Sequence, residues 1–143
     1  KNINRIKSKL NNKVNLLSNI KYNAQNNVLI VDSIGVLKYL YKFSNISYVG
    51  GGFEKKGLHN VLEPCVYGNP VIFGKYFKFY DEAKGLFKVK GGFSIQNSKE
   101  LKKTINGLLL NDNKLKEIEM INSKFINDNL VSINSIIKSM KNE

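Results

Sequence analysis

Residues 50–64 read Gly-Gly-Gly-Phe-Glu-Lys-Lys-Gly-Leu-His-Asn-Val-Leu-Glu-Pro, and they gather most of the chemistry this chain can offer. The run Ile46-Ser47-Tyr48-Val49 before them reads as a buried strand. Cys65-Val66-Tyr67 after them reads as helix, broken at Gly68-Asn69-Pro70. A strand that ends in glycines and leads into a helix start builds an anion or nucleotide pocket. Glycine lets the backbone approach a ligand closely, and the helix start offers free N–H groups. His59, Asn60 and Glu63 are the polar side chains placed there. Proline is tolerated in a first helical turn and costs about 3 kcal/mol in the interior, so Pro64 sets the helix start close to Glu63. Two uses are open to Glu63: a carboxylate is favoured at a helix start by the dipole, and its two acceptor oxygens suit neighbouring sugar hydroxyls. Asn60 suits a cap, and His59 suits local hydrogen bonding. The glycines are not a Walker motif, since no Gly-Lys-Ser/Thr follows. They also fail the dinucleotide fingerprint, whose last glycine falls on Lys55. Taken alone, Gly50 to Gly52 equally fit a plain tight turn.

The elements that must hold these residues can be read from apolar periodicity. Ile3, Ile6, Leu10 and Val14 step as one face of a helix that ends near Asn11-Asn12-Lys13. Residues 18–27 are polar and Asn-rich, a loop. Val28-Leu29-Ile30-Val31 is wholly apolar and suits a parallel strand covered on both faces. Asp32-Ser33-Ile34-Gly35 turns into a helix from about Val36 to Phe43, with Asp32 or Ser33 as its cap. Pro70-Val71-Ile72-Phe73 is a further strand, and a helix follows around Tyr80 to Phe87. Gly91-Gly92 is a turn, and Phe93-Ser94-Ile95 is the next strand. Ser98 caps a helix running to about Leu110, with Leu101, Ile105, Leu108 and Leu109 inward. Asn111-Asp112-Asn113 interrupts. Beyond it Ile126, Leu130, Ile133, Ile137 and Met140 step as a last helix. Short strands alternating with helices predict an α/β fold, a Rossmann-like parallel sheet with helices on both faces. Ligands in such sheets bind at the carboxyl ends of the strands. Two loops leave such ends with suitable chemistry, 32–36 and 50–63.

At 143 residues the chain has the length of one ordinary domain, and such a chain buries roughly two-thirds of its unfolded surface. It contains no apolar run near the roughly 18–20 residues needed to span a membrane. It lacks an initiator Met, from which we expect a piece of something longer. The net charge of +12 points towards nucleic acid or an anionic membrane. Arg5 is the lone arginine, however, and arginine is the usual reader of phosphates and bases. The lysines are scattered, and the accompanying Asn and Ile are what AT-rich codons produce. We therefore expect no nucleic-acid partner, and regard an anionic membrane surface as the better match to the charge. Cys65 is the single cysteine and His59 the single histidine, so neither a disulfide nor a Cys- or His-based metal cluster is available. A Cys65/His59 catalytic pair has no third group to orient it, and Cys65 reads as a packing residue.

With these elements in place, a resemblance becomes specific. Val28-Leu29-Ile30-Val31-Asp32-Ser33-Ile34-Gly35 resembles the "vlivDT-x-G" segment of the lipid IVA Kdo transferases, which add 3-deoxy-D-manno-oct-2-ulosonic acid (Kdo) to a lipid A precursor. Ile46 to Phe53 and Gly57 to Pro64 resemble that family's "a-V-G-G-[GS]-[FL] … G-x-H-N-x-L-E-P". Gly68 to Gly74 continues as its "fG-x-P-v-i-x-G-p". The match runs from about residue 28 to 95, in order and at matching spacing.

The resemblance implies that residues 1–143 are most of the C-terminal, donor-binding half of a GT-B glycosyltransferase, without the first strand of that half and without the N-terminal domain. The donor would be CMP-Kdo, with no further cofactor and no metal. By the same resemblance Ile34, Gly35 and Val36 contact CMP from one side, and His59, Asn60, Val61, Leu62 and Glu63 from the other. Glu63 would hold the ribose hydroxyls, and the backbone around Gly51, Gly52 and Asn60 would face the donor phosphate. Two positions depart from the pattern. Val36 stands where many members carry Glu, which a main-chain contact tolerates, and Lys75-Tyr76 stands where a proline is usual. The family's acidic catalytic base and most of its lipid acceptor site lie in the other half, so no catalytic residue is expected here and the piece alone should be inactive. The implied setting is lipopolysaccharide synthesis at the cytoplasmic face of the bacterial inner membrane. A UDP-sugar donor on the same fold, or a non-catalytic basic binding module, are the competing expectations.

Overall fold

The computed structural model describes residues 2–11, 13–19, 23–55 and 57–140, with the side chains of residue 2 and of residues 130–140 outside the description. These residues group into two compact units, Lys1–Leu40 and Tyr41–Glu143.

The first unit opens with helix α1 (Asn2–Lys9). It is shorter than the expected amphipathic run, and Asn11 takes a left-handed φ of 51° just after it. Val14, expected on the helix, is instead buried beside strand β1 (Asn15–Leu16). This strand had no signal of its own, because two residues carry no period. It pairs in parallel with β2 (Leu29–Ile30), through Asn15 N–H to the Val28 carbonyl at 2.8 Å and Leu17 N–H to the Ile30 carbonyl at 3.0 Å. Val28 and Leu29 are exposed, which corrects the expectation of a strand covered on both faces. The Asn-rich loop is organised by the buried Asn15 side chain, which donates to the Asn23 carbonyl at 3.0 Å and accepts the Asn23 N–H at 3.0 Å. The expected helix over 36–43 is realised as α2 (Leu37–Leu40) followed by a 3-10 turn, Tyr41–Phe43, which begins the second unit.

In the second unit β3 (Ser47–Tyr48), β4 (Val71–Gly74) and β5 (Gly92–Ile95) form a parallel sheet in that order. Between β3 and β4 lies α3 (Leu62–Cys65), and between β4 and β5 lies α4 (Asp81–Lys88). After β5 come α5 (Ser98–Leu109) and α6 (Asp112–Met140). The alternation of β4 sorts the core. Val71 and Phe73 join Val49, Leu58, Val61, Cys65, Ala83 and Leu86 in one apolar cluster, and Ile72 joins Ile95, Leu108 and Ile118 in another. Val71, Ile72 and Phe73 are each fully buried, as a central strand with both faces covered requires. Helix α6 contributes to both clusters, Leu115 and Ile118 to one and Phe125 and Ile126 to the other. The apolar steps expected at Leu130, Ile133, Ile137 and Met140 lie outside the described side chains.

The helix starts differ by one residue from expectation. Asn97, not Ser98, caps α5: its Oδ1 accepts the Glu100 N–H at 3.0 Å, and Glu100 returns a carboxylate to the Gln96 N–H at 2.9 Å. Asn97 thus caps the helix and Glu100 ties down the residue before the cap, with Ser98 as the first helical residue. Asn111 caps α6 in the same way through the Lys114 N–H at 2.9 Å. Leu109 and Leu110 are exposed, and only Leu108 of that trio points inward. Two buried amides join the elements. Asn69 donates to the Tyr41 carbonyl at 2.8 Å and the Ser44 hydroxyl at 2.7 Å, and Asn122 donates to the Asn69 carbonyl at 2.7 Å. At Gly107, inside helix α5, a Cβ meets nothing within 4 Å and φ is not in the left-handed region. Gly107→Ala is therefore expected to stabilise the domain by about 0.5–1 kcal/mol, visible as a higher thermal midpoint, because it restricts the unfolded chain and improves helix propensity.

Candidate nucleotide site

The loop after β3 is built from glycines that meet other backbone. Gly51 has φ +86°, and a Cβ there would lie 1.7 Å from the Gly57 carbonyl oxygen. Gly52 has φ +73° and abuts Gly74 at the end of β4, where a Cβ on Gly74 would lie 2.4 Å from the Gly52 carbonyl. Hydrogen bonds close the same folds: the Gly50 carbonyl accepts the His59 N–H at 3.2 Å, and the Gly52 carbonyl accepts the Tyr76 N–H at 2.8 Å. Gly51 and Gly52 thus let the loop turn back on itself and seat on the neighbouring strand.

The loop delivers residues 58–62 to a pocket of about 320 Å³ lined by Leu58, His59, Asn60, Val61 and Leu62, with Tyr80 and Glu82 from the start of α4. This pocket lies beyond the carboxyl ends of β3 and β4, where a parallel sheet places its ligands. Leu58 and Val61 are buried and anchor the segment to the core, while His59 and Asn60 are exposed. Asn60 Oδ1 accepts the Leu62 N–H at 2.9 Å, and its Nδ2 donates to Glu63 Oε1 at 3.2 Å. Asn60 therefore makes an Asx turn just before α3, whose N-cap is Val61, and orients Glu63. The backbone N–H groups of Asn60 and Val61 have no partner among the described residues.

Pro64 is the third residue of α3, inside the first turn as expected, and Glu63 is exposed just before it. Glu63 Oε1 is held by Asn60, and Oε2 has no hydrogen-bond partner among the described residues. The carboxylate also acts on Tyr41, whose phenol is pushed above its ordinary range first by burial and then by the negative charge of Glu63. Helix α3 is only one turn long, so its dipole is small, and individual N–H groups rather than a long helix would meet an anion.

Ile34, Gly35 and Val36, the other expected contacts, form the turn between β2 and α2 in the first unit. Ile34 is fully exposed, and Gly35 has φ +82° with nothing within 4 Å of a Cβ, so the backbone there is open to solvent. Asp32 does not cap α2. Its carboxylate accepts the Ser18 hydroxyl and, at 3.0 Å, the Ser18 N–H, and these bonds hold its pKa below the usual range. Cys65 is fully buried, and burial pushes its thiol up to about 12, so it cannot supply a thiolate near neutral pH. Among the described residues no three His, Cys, Asp or Glu side chains converge as a metal site, and no helix is long and apolar enough to cross a membrane. Tyr80 and Glu82 were missed in the sequence, because an aromatic before a helix and an acid in its first turn both read as ordinary helix chemistry.

A parallel sheet flanked by helices, with its pocket at the carboxyl ends of the strands, defines a Rossmann-like domain of the kind that forms the C-terminal half of GT-B glycosyltransferases. The fold matches the crystal structure of the C-terminal CMP-Kdo binding domain of WaaA from Acinetobacter baumannii with a TM-score of 0.78, at 23% identity, over 87% of this chain and 66% of that one. In sequence the chain is similar to the 3-deoxy-D-manno-octulosonic acid transferases. It is 40% identical to the Aquifex aeolicus enzyme over 88 residues, which is 61% of this chain and 25% of that protein. It is 37% identical to the Rickettsia typhi enzyme over 122 residues, 78% of this chain and 26% of that protein. A bifunctional glycosyltransferase/methyltransferase of Fusobacterium nucleatum is 37% identical over 135 residues, 88% of this chain. The chain spans only 21% of the length of that relative, and no family model matches it.

Proposed function

We propose that the chain is the donor-binding part of a Kdo transferase and holds CMP-Kdo while the sugar is passed to a lipid A precursor. The observation that carries this reading is Glu63, exposed at a helix start, with one oxygen fixed by Asn60 and the other available. A pre-oriented carboxylate with a free oxygen suits the ribose diol of a nucleotide. The N–H groups of Asn60 and Val61 are donors for the phosphate of a departing CMP, which lowers the barrier to displacement at the sugar's anomeric carbon without a metal. Gly51 and Gly52 act by shaping the loop. His59 lines the pocket beside them. The resemblance in sequence to Kdo transferases supports the choice of donor, and the charge of +12 supports work at an anionic membrane surface, the cytoplasmic face of the inner membrane.

A second reading keeps the fold and exchanges the donor for a UDP-sugar. It is compatible with the match to the bifunctional Fusobacterium nucleatum protein, a glycosyltransferase whose name specifies no donor. Titrating the isotope-labelled chain with CMP and with UDP, followed by amide shifts at residues 58–63, separates the two. CMP is expected to bind more tightly, and preferential UDP binding would overturn the Kdo reading.

A further inference from the structure

Tyr80 precedes α4, and its hydroxyl oxygen accepts two backbone N–H bonds, from Gly57 at 2.9 Å and from Leu58 at 3.2 Å. A phenol oxygen has room for two such donors besides the proton it carries, so this one is saturated as an acceptor. The ring packs against the apolar cluster that contains Leu58 and Val61, and the same residue lines the pocket with His59 and Asn60. Gly57 has φ +101° with nothing within 4 Å of a Cβ, while its carbonyl lies against Gly51. Downstream, the His59 N–H is tied to the Gly50 carbonyl at 3.2 Å, and the next two N–H groups are those of Asn60 and Val61, which lack partners among the described residues. One side chain on the β4–α4 connection therefore ties the backbone just upstream of the segment that presents these donors.

We infer that Tyr80 is a positioning residue for this pocket: by pinning Gly57 and Leu58 it aims the Asn60 and Val61 N–H groups at an anionic oxygen of the bound nucleotide. This rests on the donor-site reading above and names a residue that acts through the backbone rather than on the reacting atoms.

Tyr80→Phe keeps the ring and removes the oxygen. CMP affinity of the chain, measured by amide-shift titration, is expected to fall about tenfold, the order expected for losing a pair of backbone ties. Amide exchange at Gly57 and Leu58 is expected to accelerate in the same variant. In the wild type, saturating CMP is expected to slow exchange at these two amides, a response that a merely structural tie would not give. Affinity within twofold of wild type despite faster exchange in Y80F would overturn the inference. So would unchanged wild-type exchange on CMP binding, which decides the matter even if Y80F does not fold. If Glu63→Ala also binds CMP as the wild type does, the donor-site reading itself has failed, and that outcome is distinct from the two that concern Tyr80.

Discussion

Glu63→Ala is expected to weaken CMP binding by about tenfold to a hundredfold while the fold persists. Hydrogen bonds to a charged group contribute about 1.5–3 kcal/mol, and losing a carboxylate that spans two ribose hydroxyls falls in or above that range. The fold should survive because Glu63 is exposed, and because the Asn60 Oδ1 bond to the Leu62 N–H at 2.9 Å does not involve it. Glu63→Gln keeps one acceptor oxygen and should fall between the wild type and alanine. The measurement is a CMP titration alongside a thermal melt. Unaltered affinity in E63A would place Glu63 as a helix-start residue and nothing more.

Gly51→Ala is expected to cost about 3 kcal/mol or more in stability, read as a lower urea midpoint. Two effects add. A φ of +86° is strained for any side chain, and a Cβ would lie 1.7 Å from the Gly57 carbonyl oxygen, so the loop must open to admit it. Gly35→Ala separates the two effects. Its φ of +82° is nearly the same, but nothing lies within 4 Å, so about 1 kcal/mol is expected from conformation alone. Equal losses at both positions would mean that the contact with Gly57 carries no weight.

Much of this was legible because some residues have few physical options. Pro64 restricts where a helix can begin, and α3 starts at Leu62, one residue from the expected position. The apolar run at 70–73 is too short for a helix and too apolar for a surface, and it is the central strand β4. The relationship to Kdo transferases was likewise carried by ordered motifs rather than by composition. What escaped was what depends on distant partners. Asn69 and Asn122 are polar residues that the core needs, since each satisfies carbonyls on other elements. Nothing local distinguishes them from the many exposed asparagines. Asn97 competes with Ser98 as a cap, and only the bond to the Glu100 N–H decides between them. The role of Gly51 was ambiguous between a close ligand approach and a turn. The backbone it meets belongs to Gly57, which the glycine count could not reveal.

Helix α6 has a consequence for how the domain comes into being. It touches apolar clusters on both sides of β4, through Leu115 and Ile118 on one and Phe125 and Ile126 on the other. During synthesis the strands β3, β4 and β5 leave the ribosome before it does. Until α6 arrives, neither cluster is complete, and apolar surface on both sides of a three-stranded parallel sheet stays exposed to other chains. Such sheets are slow to form because their contacts are distant in sequence, and unfinished ones are prone to aggregate. The closing step in folding is thus assigned to a helix none of whose described residues lines the candidate pocket.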